Sequence, residues 1–322
     1  MGAILVTGGA GFIGSHLVER LTARGDTVVA LDNFDPYYDP AVKRRNLREA
    51  ARVQEPGRFT LVEGDIRDAA GLDALFAAHR FDAVVHLAAR AGVRPSIADP
   101  LLYADVNVSG TTQLLEACRR HGVGRFLFGS SSSVYGDSTA VPFCEEARVD
   151  RPVSPYAATK VAGELLAFTY HHLFGMEISC LRFFTVYGPR QRPEMAIHKF
   201  ARHIMQGRPL QRFGDGRTER DYTYIDDIMD GVIKALDRVN GYAIYNLGES
   251  SRVSLAHLIE LLEKEIGKRA VVETLPEQPG DVKMTCADIT RARADLGYDP
   301  RVAIEEGIRR FVSWLRAEGT AA

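Results

Sequence analysis

Short apolar runs alternate with amphipathic stretches through the first half of the chain. The first run, Ala3-Ile4-Leu5-Val6, has the length and composition of a buried parallel strand, and the segment from Ser15 to Leu21 has the spacing of an amphipathic helix. Because strands that alternate with helices favour a parallel sheet with right-handed crossovers, the pattern predicts a doubly wound α/β fold of the Rossmann type. Further strands are expected at 27–31, 59–62, 82–86, 125–128 and 177–182, with long helices at 100–121 and 155–174.

The pattern changes near residue 182. We therefore expect a Rossmann domain over 1–182 and a smaller, mixed C-terminal domain over 183–322 that binds the substrate. A strand-like run near 243–247 is expected to return to the main sheet. Loops rich in glycine, proline and arginine separate shorter helices expected at 195–206, 226–238, 254–267 and 303–317.

A glycine-rich turn joins the first strand to the first helix. Gly9, Gly11 and Gly14 fit G-x-G-x-x-G, and Gly8 with the last two fits G-x-x-G-x-x-G. Glycines permit the tight turn and the close approach of a pyrophosphate, whose charge faces the helix N-terminus. The second strand ends on Asp32, about twenty residues further on, where a carboxylate suits a ribose 2′-hydroxyl and repels a 2′-phosphate. The turn therefore predicts NAD rather than NADP as the cofactor.

Other polar residues fall where strands of the expected sheet end, which is the edge at which such folds bind ligands. Asp65 follows the third strand and is expected either to bind the adenine amine or to cap a helix. His86 ends an apolar strand and is expected to be a core histidine. Asn107 is expected to hold active-site backbone, and the basic stretch 43–48 is interpreted as a solvated helix face.

Composition excludes several classes of function. The 322 residues include 40 basic and 42 acidic side chains, a balance that favours neither nucleic acid nor an anionic membrane as partner. The four cysteines are far apart and form no C-x-x-C, so we expect no zinc site, no disulfide framework and no metal. The sequence contains no apolar run of about 20 residues, and its first run is short for a signal peptide. A cytoplasmic protein without a membrane span is expected.

Tyr156 and Lys160 lie four residues apart on a predicted helix and so share one face. A tyrosine with the ordinary pKa of about 10 is a poor base at neutral pH. An adjacent ammonium group and a positive nicotinamide both favour the phenolate and are expected to lower that pKa. The phenolate can then take a proton from a substrate hydroxyl while hydride leaves the same carbon. A serine at the end of the fifth strand can hydrogen-bond the same oxygen.

These motifs together resemble the extended short-chain dehydrogenases/reductases of the sugar-nucleotide epimerase and dehydratase group. The resemblance also includes Asp65-Ile66, His86-Leu87-Ala88-Ala89, the segment Ser130–Gly136, which begins with the serine run 130–133, and Arg220-Asp221-Tyr222. It implies that Ser131 is the hydroxyl partner of Tyr156. Dehydratases of the group carry Asp-Glu where this chain has Ser132-Ser133, which favours epimerisation. The cofactor residues it implies are Gly8, Gly11, Phe12, Ile13, Gly14, Asp32, Asn33, Asp65, Ile66, Leu87, Ala88, Ala89, Asn107, Ser130, Tyr156 and Lys160.

Within that group, the segments 32–39, 91–96 and 185–196 are similar to UDP-glucuronate 4-epimerases. Two positions depart from the pattern: Arg90 stands where relatives often have a glutamine, and Pro95 where they often have an aromatic residue. The resemblance implies oxidation at C4 of a UDP-sugar, turnover of the 4-keto sugar and hydride return to the opposite face. With glucuronate the intermediate is a β-keto acid, so the enzyme must hold the carboxylate against loss of CO₂.

The resemblance also implies how the UDP-sugar is bound. Arg192 is the first candidate for the carboxylate because an arginine binds a carboxylate bidentately. The alternatives for Arg192 are a diphosphate contact and a surface charge. Arg220 matches a phosphate- or ribose-binding position, and Asp281 matches a ribose-binding acid. The implied substrate-binding residues are Arg94, Ser131, Ser132, Thr185, Arg192, Lys199, Arg220 and Asp281.

Several functions stay open from the sequence. The first is NAD-dependent 4-epimerisation of UDP-glucuronate, and the nearest rival is the same reaction on UDP-glucose. A third is decarboxylation of UDP-glucuronate to a UDP-pentose. A non-catalytic NAD-binding sensor or scaffold belongs to a different class, and the Ser131, Tyr156 and Lys160 set argues against it. The resemblance implies a homodimer formed through the helices at 100–121 and 155–174.

Overall fold

The computed structural model describes residues 3–51, 57–138, 140–276 and 282–320. Seven parallel strands form the main sheet, in the spatial order 59–63, 27–32, 3–7, 83–86, 125–131, 177–183 and 242–247. In chain order the strands are β1 (Ala3–Thr7), β2 (Thr27–Asp32), β3 (Phe59–Glu63), β4 (Ala83–His86), β5 (Arg125–Ser131), β6 (Glu177–Phe183), β7 (Thr185–Tyr187), β8 (Leu210–Phe213), β9 (Glu219–Arg220), β10 (Tyr222–Tyr224), β11 (Tyr242–Leu247), β12 (Val253–Ser254) and β13 (Val272–Leu275).

Helices cover both faces of this sheet. In chain order they are α1 (Phe12–Arg24), α2 (Pro40–Ala51), α3 (Ala69–Ala78), α4 (Val93–Ala98), α5 (Pro100–Ala104), α6 (Gly110–Arg120), α7 (Pro155–Phe174), α8 (Ala196–Gln206), α9 (Ile225–Arg238), α10 (Leu255–Ile266), α11 (Thr290–Leu296) and α12 (Ile304–Thr320). The predicted α/β class with a Rossmann sheet is confirmed.

The apolar runs form the central strands because both faces of the sheet are covered. Val6 and Val85 are fully buried in the core on one face, and Leu5 and Val84 in the core on the other. Strands with this two-sided burial read as continuous hydrophobic runs. Strands β2 and β3 lie on one side of β1, and β4, β5 and β6 lie on the other, so the order in which strands are added reverses at β1. Folds of this kind bind ligands in the crevice above the carboxyl ends of the strands at that point.

The second half of the chain supplies short strand pairs at the edge of this core. Strand β7 pairs in parallel with β10, β8 with β13, and β9 runs antiparallel to β12. Strand β11 lies beside β6 in the main sheet, so the chain returns to the Rossmann core after residue 241. The division into domains at residue 182 stays a prediction.

The predicted single helix at 100–121 contains an irregularity. A π-helical segment, Asp105–Ser109, separates α5 from α6 and carries Asn107. Wider turns of this kind occur inside α-helices, frequently at functional sites. The side chain of Asn107 is buried there.

Two sequence predictions are wrong in detail. Lys43, expected on a solvated helix face, is only 7 % exposed, and its ammonium group bonds the backbone carbonyl of Asp35. Asp65 does not cap a helix, because the N-cap of α3 is Asp68, whose carboxylate accepts from the Gly71 amide. Among the helices of the described residues, none has both the length and the apolar character needed to cross a membrane.

Candidate active site

A cavity of about 410 Å³ opens at the carboxyl edge of the main sheet. Residues from both halves of the chain line it, which brings the glycine-rich turn, the serine run and the segment after β6 together. The predicted site residues in its wall are Gly8, Gly11, Phe12, Ile13, Gly14, Asp32, Asn33, Asp65, Ile66, Leu87, Ala88, Ala89, Ser130, Ser131, Ser132, Tyr156, Lys160, Thr185 and Arg192.

The glycine-rich turn has no room for side chains. A Cβ atom on Gly14 would lie 2.1 Å from the carbonyl oxygen of Gly8, and one on Gly8 would lie 2.7 Å from the amide nitrogen of Ala88. Gly8 also has φ = 70°, a conformation that favours glycine. Gly11 caps α1 without a side-chain hydrogen bond, so the first turn of the helix faces the cavity as backbone. This cradle fits the pyrophosphate of a dinucleotide.

Asp32 lies at the end of β2 with its carboxylate fixed by the backbone. Its two oxygens accept from the amides of Ala10 (3.0 Å) and Phe34 (2.9 Å). Burial raises the pKa of Asp32, and the charge of Lys43, 4.0 Å away, acts in the opposite direction together with both amides. Lys43 is therefore a cavity residue that the sequence analysis missed, since its helix shows no apolar stripe there.

Asp65 lies across the same end of the cavity. The amide group of Asn33 donates to its carboxylate at 2.9 Å, and the guanidinium of Arg67 binds it through two nitrogens. The Arg67 hydrogen bonds hold the pKa of Asp65 at about 2, so the group is ionised at neutral pH. With the Arg67 amide as a further donor, the carboxylate accepts four hydrogen bonds, two on each oxygen. The adenine contact of Asp65 stays a prediction.

Tyr156, Lys160 and Ser131 meet at the centre of the cavity. Tyr156 and Lys160 lie on one face of α7, and the Lys160 Nζ is 5.9 Å from the centroid of the Tyr156 ring. The same Nζ donates to the carbonyl oxygen of Gly129 at 2.6 Å. The Ser131 hydroxyl hydrogen-bonds the Tyr156 phenol and lies 3.1 Å from the hydroxyl of Ser133. A phenol between a serine and a buried lysine is suited to move a proton at a substrate hydroxyl.

The electrostatics of this centre differ from the expectation. Burial raises the pKa of Tyr156, while the Ser131 hydrogen bond and the charge of Arg192 act in the opposite direction. Burial lowers the pKa of Lys160 to about 8, and the charge of Glu164 opposes that shift. The sequence analysis expected Lys160 to lower the pKa of Tyr156, but the protein without a bound ligand does not lower it. A cationic group bound beside the phenol is needed to favour the phenolate.

Asn107 does not line the cavity but holds its wall. Its Oδ1 accepts from the Arg90 amide at 2.8 Å, and its Nδ2 donates to the Arg90 carbonyl (2.9 Å) and to the hydroxyl of Thr159 (3.0 Å). It therefore ties the segment after β4 to α7, one turn from Tyr156. His86 bonds Thr7 and Thr111 through its two ring nitrogens and is a core histidine, as predicted.

Ser130 faces a buried ion pair. Its hydroxyl donates to the Glu164 carboxylate at 2.5 Å, and Arg182 binds the same carboxylate at 2.9 Å and 2.7 Å. The side chains of Arg182 and Glu164 are 2 % and 5 % exposed. The sequence analysis missed this pair because its members come from α7 and β6, and only the fold brings them together.

Arg192 lies in the cavity wall with its side chain 23 % exposed, so the surface-charge alternative is wrong. Its guanidinium pairs with Glu194 at 2.9 Å, and its charge acts on the pKa of Tyr156. Thr185, at the start of β7, lies in the same wall. The arginine is thus directed toward the centre where the tyrosine lies.

The loop before Arg192 is anchored on the first half of the chain. Arg190 is 10 % exposed and pairs with Glu19 at 2.7 Å and Glu49 at 3.1 Å. The Pro189 carbonyl is hydrogen-bonded to His16 at 3.0 Å. Arg190 also has φ = 62°, which is strained for a residue with a side chain. The sequence shows only an arginine in a loop, so this anchor was not predicted.

Asp221 joins the segments behind Thr185. Its carboxylate accepts from the amides of Glu249 (2.7 Å), Ser250 (3.1 Å) and Ala287 (2.9 Å), and its carbonyl accepts from the Thr185 amide (3.0 Å). Burial raises its pKa to about 6. The middle residue of Arg220-Asp221-Tyr222 therefore organises backbone rather than facing the cavity.

The remaining predicted substrate residues lie elsewhere. Arg94 is exposed and stacks on Phe213 at 4.6 Å, and Arg220 donates to the carbonyls of Glu219 and Lys283. These two and Lys199 do not line the cavity, and Asp281 lies outside the described residues. Across the described ranges, which omit 52–56, 139 and 277–281, no three His, Cys, Asp or Glu side chains are placed to hold a metal ion.

Known proteins resemble this chain over nearly its whole length. The family model described as GDP-mannose 4,6 dehydratase matches residues 5–311. A UDP-glucuronate 4-epimerase of Thermodesulfobacterium geofontis is 45% identical over 317 residues, which cover 98% of this chain and 97% of that protein. The crystal structure of a UDP-glucuronic acid 4-epimerase from Bacillus cereus, in complex with UDP-glucuronic acid and NAD, is 38% identical with a TM-score of 0.91, covering 98% of this chain and 99% of that one. A UDP-glucose 4-epimerase of Thermotoga maritima, with UDP-glucose, is 32% identical with a TM-score of 0.90 at the same coverage.

Proposed function

This chain belongs to the GDP-mannose 4,6-dehydratase family of extended short-chain dehydrogenases/reductases, and from that premise we propose that it is an NAD-dependent isomerase that converts UDP-glucuronate to UDP-galacturonate. The observation that carries the proposal is the meeting of Tyr156, Ser131 and Arg192 in one cavity. The first two are the groups that act on a sugar hydroxyl. The third is a cation that can bind a sugar carboxylate beside them.

The cavity has groups that suit two parts of the cofactor. The backbone of the glycine-rich turn fits the pyrophosphate, and the fixed carboxylate of Asp32 fits a ribose 2′-hydroxyl while it repels a 2′-phosphate. The Bacillus cereus relative, which is bound to NAD, supports this choice. NAD bound there supplies a hydride acceptor for C4 of the sugar and, after the sugar turns over, a hydride donor to the same carbon.

Tyr156 takes the proton from the C4 hydroxyl and later returns one to the same oxygen. Ser131, which is hydrogen-bonded to the tyrosine, lies beside it and donates a hydrogen bond to the C4 oxygen. Burial disfavours the phenolate, so ionisation of the phenol depends on cationic neighbours within the cavity. Lys160 is the fixed cation on the same helix face, and its bond to Gly129 holds it there.

Arg192 distinguishes this substrate from its neutral analogue. Its guanidinium can bind the 6-carboxylate through two nitrogens and keep the C5–carboxylate bond out of line with the C4 carbonyl π system. That geometry opposes decarboxylation of the 4-keto acid. UDP-glucose lacks the carboxylate, and epimerisation of UDP-glucose remains the second candidate because the Thermotoga maritima relative carries that name.

Other reactions have less support. A 4,6-dehydration needs an acid and a base next to Ser131, and this chain has Ser132 and Ser133 there. A non-catalytic sensor has no need for Ser131, Tyr156 and Lys160 in one centre.

For the diphosphate and uridine end, Arg94, Lys199, Arg220 and Asp281 stay predictions. The cytoplasmic location and the homodimer are further parts of the proposal, and the exposed apolar side chains on α5 and α7 support the dimer.

The direct test uses UDP-glucuronate that carries deuterium at C4, with a catalytic amount of NAD in ordinary water. UDP-galacturonate should form with deuterium retained at C4, because the hydride removed from C4 is the one returned. Proton NMR and mass spectrometry report both the product and the label. Product with hydrogen at C4 would show exchange with water and contradict internal hydride return.

A further inference from the structure

One segment of the cavity wall has no part in the chemistry described above. It runs from Asn33 to Tyr38, between β2 and α2, and we name it the tyrosine segment. Its backbone is fixed by its own side chains: the Asp35 amide donates to Asn33 Oδ1 at 2.9 Å, and the Tyr37 amide donates to Asp35 Oδ1 at 2.8 Å. The Lys43 ammonium group donates to the Asp35 carbonyl at 2.9 Å. The segment therefore presents Tyr37 to the cavity in a defined position.

Two arginines contact the ring of Tyr37. The guanidinium carbon of Arg90 lies 4.9 Å from the ring centroid, and that of Arg192 lies 5.7 Å from it. Guanidinium groups over an aromatic face are attracted by the ring quadrupole within about 6 Å. Tyr37 thus contacts both Arg192, the proposed carboxylate ligand, and a second cation from the segment after β4.

Each arginine also has its own carboxylate. Arg90 pairs with Asp35 and Arg192 with Glu194, so the charges of these two pairs cancel around the ring. Two guanidinium groups near one ring repel each other unless such counter-charges are present. Asp35 has a double role here, because the same oxygen accepts from the Tyr37 amide and from Arg90.

The far side of Tyr37 is closed. A Cβ atom on Gly92 would lie 2.8 Å from the Tyr37 hydroxyl, and Gly92 has φ = 102°, so no side chain is accommodated there. The Tyr37 hydroxyl is hydrogen-bonded to Tyr103, which donates to the Ala91 carbonyl at 2.6 Å and packs edge-on against Tyr156 at 6.3 Å. These contacts hold the ring from the side of Gly92 and Tyr103, while its face contacts Arg192.

We propose that Tyr37 is a specificity-determining positioning residue, whose ring, fixed by Asp35 and Arg90, holds the Arg192 guanidinium in the pose that binds the sugar carboxylate; this rests on the proposed function. Without the ring, the partner left to the Arg192 guanidinium among the described residues is Glu194, whose side chain is 38 % exposed, and the guanidinium can turn toward it. The carboxylate would then lose its fixed ligand.

Release of the carboxylate has a chemical consequence. In the 4-keto acid, the C5–C6 bond breaks when it lines up with the C4 carbonyl π system. Its electron pair passes into the C4–C5 enolate, CO₂ leaves, and the enolate takes a proton at C5 to give a UDP-4-ketopentose. The fraction of decarboxylated products therefore measures how firmly Arg192 is held, separately from how fast Tyr156 moves its proton.

The test compares Tyr37→Leu, which removes the ring, with Tyr37→Phe, which keeps the ring and loses the hydroxyl. Arg44→Ala is the matched control, because it removes a guanidinium that lies 4.0 Å from the Phe34 ring of the same segment, outside the cavity wall. Product fractions are followed by NMR. Binding of UDP-glucuronate and of UDP-glucose is measured by calorimetry in the Tyr156→Phe background, where turnover does not interfere.

We expect Tyr37→Leu to weaken UDP-glucuronate binding about tenfold, to leave UDP-glucose binding unchanged and to raise the decarboxylated fraction. Arg44→Ala should behave as the wild type, and Tyr37→Phe, which keeps the ring, should keep the sugar preference and the product fractions of the wild type. Arg90→Ala is a second arm that keeps the ring: the Asp35 carboxylate loses the guanidinium paired with it, and UDP-glucuronate should again bind more weakly while UDP-glucose does not.

Two results would overturn the inference, and they differ. A wild-type protein that does not convert UDP-glucuronate removes the proposed function and the role of Tyr37 with it. Wild-type conversion, together with a folded Tyr37→Leu or Arg90→Ala variant of unchanged sugar preference and unchanged product fractions, removes the role of Tyr37 alone.

Discussion

Lys160 donates a 2.6 Å hydrogen bond to the carbonyl oxygen of Gly129, and this contact joins the helix that carries Tyr156 to the strand that ends in Ser131. The tyrosine and the serine come from separate elements, so their hydrogen bond depends on how closely α7 packs on β5. A buried lysine with its pKa lowered to about 8 keeps its charge at neutral pH while it makes this link. The lysine thus has a structural role besides its electrostatic one.

Tyr156→Phe should remove turnover and keep binding. The variant loses the oxygen that takes the C4 proton in our proposal, and general acid–base groups contribute about 10²- to 10⁴-fold to rate. The measurement is kcat for UDP-glucuronate by NMR, with calorimetry for the Kd. Tyr170→Phe, on the same helix but bonded to Glu116 away from the cavity, is the control and should retain full activity. A Tyr156→Phe variant with near wild-type kcat would contradict the assignment.

Glu164→Gln should destabilise the protein strongly. It leaves Arg182 charged and buried with no carboxylate in an ion pair within the described ranges, and it also disturbs the Ser130 hydroxyl. Breaking one side of a buried pair costs about 3–5 kcal/mol, which urea unfolding at neutral pH would report. Asp215→Asn is the comparison, because the Arg217–Asp215 pair is 90 % and 63 % exposed and should leave the free energy of unfolding unchanged. Equal effects of the two substitutions would contradict the importance of burial.

The free energy of unfolding should decrease as the pH is lowered from about 6.5 to 3, and His86 should account for part of this decrease. Burial lowers the pKa of His86 to about 3 from 6.5, so in that window the unfolded chain binds a proton that the folded protein does not. The stability contributed by the neutral, buried His86 is fully present above pH 6.5. It is lost as the pH falls below that value, and the free energy of unfolding then decreases by about 1.4 kcal/mol per pH unit. Urea midpoints at several pH values, compared between the wild type and His86→Gln, isolate this contribution. Identical slopes for the two proteins would contradict it.

The homodimer should depend on the exposed apolar face of α5 and α7. Leu101, Leu165 and Leu173 are 81 %, 64 % and 62 % exposed, which is unusual for large apolar side chains gathered on neighbouring helices. Leu165→Glu should therefore yield monomers in size-exclusion chromatography with light scattering. Val271→Glu, at an exposed apolar position on another part of the surface, should remain dimeric. A monomeric wild type would contradict the expectation.

The first half of the fold was predictable because its signals are local. The apolar run at 3–6, the glycines that follow it and Asp32 specify a strand, an anion cradle and a ribose acid within one βαβ unit. That Tyr156 and Lys160 share one face of a helix could be predicted from helix periodicity alone. Because ligands bind where parallel strands end, the positions of Asp65, Ala88 and the serine run after their strands were enough to predict that they share one edge of the sheet.

The remainder depends on contacts between distant segments. Lys43 sits in a basic stretch and turns inward only because Asp35 and Asp32 are there to bond it. The Glu164–Arg182 pair joins a helix to the strand that follows it, and the two carboxylates on Arg190 come from residues far apart in sequence. The pKa of Tyr156 moves opposite to the expectation because burial outweighs the charges the protein itself supplies, and burial cannot be read from the spacing of two residues.

The most direct test of the account is a side-by-side incubation with UDP-glucuronate and with UDP-glucose, without added NAD, followed by the sugar protons in NMR. UDP-galacturonate formed only from the acid, with no UDP-pentose, is the predicted result, and Arg192→Ala should then abolish the preference for the acid. UDP-galactose as the main product would contradict the account, because Arg192 would then not be a carboxylate ligand.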